Sequence, residues 1–239
     1  MKKTIVIALG GSIVFPDQID WVFLRQFRSF ILRQVRKGSK FVIVVGGGRL
    51  SRMYVEAAAK ITPVKNEDKD WLGIHATRSN AHLLRTIFRE VADPVVIDNR
   101  HKFKHLRYPV TIASGWRPGW STDYVAAALS YDFGADKFVI AGKPDGVYTK
   151  DFVRFKDAKF IPEISWKDYR KLIPAKWVPS AHAPVDPVAA RFSERHKLVS
   201  VVIDGRDLKN LEALLNDKSF RGTIIESRGD QMRRVRIAV

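Results

Sequence analysis

Cysteine is absent from the 239 residues, which excludes a disulfide framework, a thiolate metal site and cysteine nucleophilic catalysis. No run of roughly 18 apolar residues occurs, so a membrane span is not expected. The opening Met1-Lys2-Lys3-Thr4 and the apolar 5–9 imitate a signal peptide, but the run is short and breaks at Gly10-Gly11 without a cleavage-like region. A buried first strand in a cytoplasmic protein is the simpler expectation. Internal repeats and low-complexity tracts are lacking. The six histidines, His75, His82, His101, His105, His182 and His196, are scattered without ligand spacing, so no metal site is expected from them. Acidic residues are scarce: Asp+Glu 25 against Lys+Arg 42 leaves a net charge of +17. A surface of that sign attracts polyanions, whether nucleic acid, acidic lipid or phosphorylated small molecules.

What is present is a large potential core. Apolar residues make up 46% of the chain and include Phe 14, Trp 6 and Tyr 6, enough for one large domain. Unbroken apolar bursts at 5–9, 41–45, 95–98, 110–113, 138–141 and 198–203 read as strands buried on both faces. Helical patterns fall between them at 20–37, 50–60, 78–91, 122–131, 187–196 and 208–216, with Asp20 as an N-cap and Gly38 as a stop for the first. This alternation predicts an α/β fold around a mostly parallel sheet. From 146 to 176 the alternation breaks into a charged, aromatic stretch that suggests hairpins or a flap. The tail at 233–239 could add a basic edge strand.

Four turns at strand ends carry the chemistry. Gly10-Gly11-Ser12 follows the first strand, where glycine lets backbone N–H groups approach phosphate oxygens and Ser12 adds a hydroxyl. An ordinary glycine turn would look the same. Gly46-Gly47-Gly48-Arg49 opens a helix, whose N-terminus makes an anion seat with Arg49 or Arg52 beside it. Neither has Walker or G-x-G-x-x-G spacing. The third, residues 114–123 (SGWRPGWSTD), holds Trp116 and Trp120, which either stack on a base or cover the core. The fourth, residues 142–151 (GKPDGVYTKD), is a turn in which Lys143 and Tyr148 suit phosphate and adenine. Asp123 and Asp145 read equally well as capping or turn residues.

In this order, with residues 71–84 (WLGIHATRSNAHLL), the VVGGG run and Asp186-Pro187, the chain resembles the amino acid kinase family, and within it the archaeal uridylate kinase group. The resemblance spans roughly residues 3–226 and implies a three-layer sandwich, an acceptor half at about 1–133 and an ATP half at about 134–239. It further implies transfer of the γ-phosphoryl group of ATP to UMP with Mg²⁺. Gly47 and Asp70 are then expected on UMP, with Gly115, Trp116, Arg117, Pro118, Gly119, Trp120, Ser121 and Thr122 closing over it. Gly10, Gly11, Ser12, Gly48 and Arg52 would line the ATP phosphates, and Gly142, Lys143, Tyr148 and Asp151 the adenosine end. Ser12, Arg52 and Lys143 are the expected catalytic groups. Members of the family are usually homohexamers built from dimers.

The third loop departs from the group's pattern, since Trp116, Arg117 and Trp120 stand where a Thr and two His are usual. Two alternatives follow. One is a same-fold kinase for another phosphorylated acceptor such as isopentenyl phosphate. The other is a non-catalytic nucleotide sensor or RNA-binding protein, motivated by +17 and by Arg25, Arg28, Arg33, Arg36 and Lys37 on the first long helix. No nucleic-acid motif accompanies them, and such a run is usually a solvated face. Nucleic acid is therefore not an expected partner, though the charge leaves it open.

Overall fold

The computed structural model describes residues 3–135, 137–176 and 183–227. Apolar runs that alternate with amphipathic segments can hide both strand faces only by sandwiching the sheet between helices. The chain does this in the order β1 (Thr4–Leu9), α1 (Gly11–Val14), α2 (Trp21–Arg36), β2 (Lys40–Val45), α3 (Gly48–Ala59), α4 (Asn66–Ile87), β3 (Val110–Ala113), α5 (Thr122–Asp132) and β4 (Lys137–Gly142). The second half runs β5 (Val147–Tyr148), β6 (Phe160–Ile161), β7 (Glu163–Ser165), α6 (Trp166–Leu172), α7 (Pro187–Arg195), β8 (Val199–Asp204), α8 (Leu208–Leu215) and β9 (Thr223–Glu226).

Seven strands form the sheet in the order β3-β2-β1-β4-β8-β9-β7, parallel except where β9 runs against β8. Side chains alternate between its faces. Ile5, Ile7 and Leu9 meet Phe27, Phe30 and Ile31 of α2, Leu84 of α4 and Leu211 and Leu214 of α8. Val6 and Ala8 meet the α5, α6 and α7 layer, including Trp166 and Tyr169. These are the three layers expected.

The register aligns the strand exits. Leu9 lies opposite Val45 and Ala141, Val44 opposite Ala113, and Gly142 opposite Asp204. The chain winds from β1 to β2 and β3 on one side and then crosses back past β1 through α5 to β4 on the other, so the loops after β1 and β4 flank the point where the strand order reverses. Open α/β sheets bind ligands at that point.

Four expectations change. Residues 95–98 form no strand: Ile97 makes a single bridge to Ala113, because Asp93 accepts the amide of Val95 and turns the chain there. The helix expected at 78–91 begins twelve residues earlier, at Asn66, since its polar first half lies beside α3 rather than in the core. The 146–176 stretch contains the expected hairpin, β5 with β6, but also β7 and α6, and Trp166 and Tyr169 are fully buried. β9, which no sequence pattern announces, joins the edge strand β7 to β8. The edge strand expected at 233–239 lies outside the described residues.

Candidate active site

Gly10, Gly11 and Ser12 leave β1 into α1, and Gly47 and Gly48 begin α3. The two loops touch backbone to backbone: a Cβ on Gly11 would lie 2.1 Å from the Gly48 nitrogen, and one on Gly48 would lie 2.2 Å from the Gly11 oxygen. Gly48 also has φ +64, in the left-handed region that glycine accepts without strain. Steric closeness thus accounts for part of the glycine signal. The same absence of side chains exposes N–H groups at the start of a twelve-residue helix, where partial positive charge gathers.

Of the two arginines beside this seat, Arg49 is taken up by Glu56 at 2.5 Å. Arg52, half-buried one turn further on, has no salt bridge among the described residues and is the cation left to the loop.

The third loop is held from α4. Asp70 accepts the Gly119 amide at 2.7 Å, and Thr77 accepts the Gly115 amide at 2.8 Å while donating to the Ile74 carbonyl. Asn80, buried on the inner face of the same helix, donates to the Gly46 carbonyl at 2.8 Å. A single helix therefore fixes the second and third loops relative to each other. Thr77 and Asn80 were not singled out from sequence. Their signal was available as polar residues at i and i+3 on the helix face that also carries Ile74, Ala81 and Leu84.

Trp116 is only 5% exposed and belongs to the core beneath α5, where its Nε1 has no hydrogen-bond partner. Stacking of Trp116 on a base is not open to it in this arrangement. Trp120 stands above it, ring centroids 6.1 Å apart, and the exposed Arg117 lies 3.8 Å over the Trp120 ring. A flat cation on a flat ring is a rigid platform. Ser121 caps α5 by accepting the Tyr124 amide and donates to Asp186, so its hydroxyl is committed to structure. Pro118 and Gly119, the latter at φ +80, make the turn, and Thr122 starts α5.

Under this loop lie two carboxylates. Asp186 accepts the Val188 and Ala189 amides at the start of α7. Asp123 keeps some accessible area but is surrounded by protein, and burial, followed by the charge of Asp186, pushes it up to about 8. Burial raises Asp186 as well. Two carboxylates in one desolvated site share protons.

At the fourth turn Gly142 ends β4 and Lys143 is exposed. Tyr148 donates to Asp145, which also pairs with Arg221 at 2.9 Å, and its ring meets Phe152 and Phe160. Asp151 accepts the Val153 and Arg154 amides and shapes the turn. Asp145 thus has a pairing and turn role of the kind read from sequence, whereas Asp151, expected at the adenosine end, shapes the turn. A cavity of about 550 Å³, lined by Ile97, Lys102, Phe103, Leu129, Tyr131 and Phe133 among others, opens at the far end of α5 and touches none of the four loops. Among the described residues, the loops combine backbone donors, cations and the reversal of strand order, which makes them the candidate site.

The class defined by this geometry is a three-layer α/β protein with a strand-end seat for phosphorylated ligands. The chain belongs to the amino acid kinase family, whose model matches residues 3–204. It is 34% identical over 226 residues to a uridylate kinase of Thermococcus sibiricus, covering 93% of this chain and 99% of that one. A uridylate kinase of Pyrococcus abyssi is 35% identical over 227 residues with the same coverage. Among solved structures, uridylate kinase from Archaeoglobus fulgidus superposes with TM-score 0.78 at 29% identity, covering 94% of this chain and all of that one. UMP kinase from Bacillus anthracis, at 19% identity and TM-score 0.75, shares the fold.

Proposed function

We propose that this chain is a UMP kinase, transferring the γ-phosphoryl group of ATP to UMP to give UDP and ADP. The observation that carries this reading is the convergence of four glycine-bearing loops at one sheet edge, two of them locked together and a third tied to them by α4. It is supported by relatives that are uridylate kinases along almost their whole length.

The reaction needs little covalent help. A phosphate oxygen of UMP forms a bond to the γ-phosphorus as the bond from that phosphorus to the β-γ bridging oxygen breaks, so alignment and charge neutralisation suffice. In our reading residues 1–133 hold the acceptor and 134–239 the donor. The Gly10-Gly11-Ser12 turn and Gly48, with Arg52, receive the transferring phosphates, the Gly10 amide itself holding the turn to β4 by donating to the Ala141 carbonyl at 2.8 Å, and Lys143 approaches from β4. Gly142, Tyr148 and Asp151 border the adenosine. Asp70 positions the 115–122 loop over UMP through Gly119, and Gly47 lines the acceptor phosphate. Arg117 on Trp120 offers a cation and a ring edge in place of a hydrogen-bonding pair.

Mg²⁺ is proposed as cofactor. Mg²⁺ is usually held by one or two carboxylates together with substrate phosphates and water. When bound, it neutralises charge between the β- and γ-phosphates. A cytoplasmic homohexamer of dimers, acting in pyrimidine nucleotide synthesis, completes the proposal. With ATP and Mg²⁺, ADP release is expected with UMP and little with AMP, and EDTA should abolish it. Absence of ADP release with UMP overturns the reading. Burial of Trp116 removes one of the two rings on which the apolar-acceptor alternative rested.

A further inference from the structure

The arginines of α2 are assigned no part in the phosphate site. This helix, Trp21–Arg36, contains Arg25, Arg28, Arg33 and Arg36 and no acidic residue, and Lys37 follows it. Its inner face, Phe23, Phe27, Phe30 and Ile31, is buried in the core. The outer face carries Trp21, Arg25, Ser29, Arg33 and Arg36, all exposed. At about 100° per residue these fall within roughly a third of the circumference, and at 1.5 Å per residue they extend about 22 Å.

The neighbouring carboxylates are already used. Glu90 pairs with Arg28 at 2.7 Å. Glu212 pairs with Lys37 at 3.2 Å and accepts from Gln34. Asp20 caps α2 and pairs with Arg206. Arg25, Arg33 and Arg36 have no salt bridge among the described residues. At the head of the stripe Trp21 is 63% exposed, and the Arg25 guanidinium lies 5.5 Å from its ring centroid. Arg33 lies within the field of Glu212, but the exposed indole and the arginines without salt bridges still present a ring and cations on one face.

We propose that the outer face of α2 binds single-stranded nucleic acid. Its phosphates would lie along Arg25, Arg33 and Arg36 and an unpaired base would stack on Trp21. Aromatic platforms beside cationic tracks are how single strands are held without sequence readout. A second copy of this chain is a poor occupant, because the two faces would repel. An anionic membrane is a weaker match: large apolar side chains are exposed only at the tip, Ile19, Trp21 and Val22, while the remaining length is polar or cationic.

The test is fluorescence anisotropy of a labelled twelve-nucleotide oligouridylate with the full chain. Vesicles of phosphatidylcholine with phosphatidylserine are assayed in parallel by co-sedimentation. Three phosphate contacts on a single strand predict about 20-fold weaker binding at 200 mM than at 50 mM salt. The triple variant Arg25→Ala, Arg33→Ala, Arg36→Ala should lose both the affinity and the salt slope, and the triple Lys variant at the same positions should keep them. Trp21→Ala should weaken binding on the order of 10-fold with the slope unchanged, since a stacked base releases no counterion. Melting temperatures of all variants check that they remain folded, independently of kinase activity. No binding at 50 mM salt, or binding unaltered in the triple Ala variant, overturns the proposal. So does vesicle binding without oligonucleotide binding, which would assign the face to a membrane surface.

Discussion

Gly11 and Gly48 face each other so closely that neither admits a methyl group, and this contact fixes the conformation of both loops. Gly11→Ala should therefore destabilise the protein by several kcal/mol, on the order of 3, because the clash is with backbone that cannot swing aside. A thermal melt reads this directly, and an unchanged melting temperature would show that the two loops do not touch. The arginines beside this seat predict a contrast. Arg49→Ala removes an exposed pair and should leave ATP use nearly unchanged. Arg52→Ala should raise the KM for ATP about 10-fold or more, as expected for one lost charge-assisted contact. Equal effects of the two substitutions would refute the assignment. Helix spacing alone leaves either arginine eligible, as they stand three residues apart; the family resemblance implies Arg52, and the pairing of Arg49 with Glu56 supplies a physical reason for the same choice.

At the scale of elements, α4 ties the loops together. Asp70, Thr77 and Asn80 all use side chains to hold backbone of the second and third loops. Asp70→Ala removes a hydrogen bond to a carboxylate, a contact of about 1.5–3 kcal/mol, and should raise the KM for UMP by 10-fold to 100-fold with a smaller change in that for ATP. Steady-state kinetics with each substrate varied in turn decides the point. The 71–84 stretch carried the family resemblance, yet its periodicity gave only the helix, because which polar side chain meets which loop depends on α4 crossing beside β2 and β3. The second half of the sheet was less legible for a similar reason. β7 and β9 are three and four residues long and gain their stability from pairing across 60 residues of chain, which no local pattern records. Trp116 and Trp120 show the same limit in miniature. Both sit in one loop, and only the packing of α5 and α7 decides that the first is core and the second faces Arg117.

For the whole molecule, the sharpest electrostatic consequence comes from the buried pair Asp123 and Asp186. Their carboxyls are raised in the folded state, Asp123 to about 8, against ordinary values near 4 in the unfolded chain. The folded protein then holds more protons than the unfolded one between those limits, so stability falls as pH rises through that window. Melting temperature should drop by about 3 °C or more between pH 5.5 and 8.5, and Asp123→Asn should flatten the decline. A wild-type profile as flat as that of the variant would show that the pair is not desolvated. The sequence by itself determined the α/β alternation, the strand-end glycine loops and the surplus of 17 positive charges, because these depend on local periodicity, turn chemistry and composition. Packing alone settles which glycines are forced by contact, that Arg49 is taken up by Glu56, which tryptophan is core, and which basic residues go without a salt bridge. Most of these depend on neighbours distant in the chain, and burial and pairing exist only once the strands and helices have been brought together.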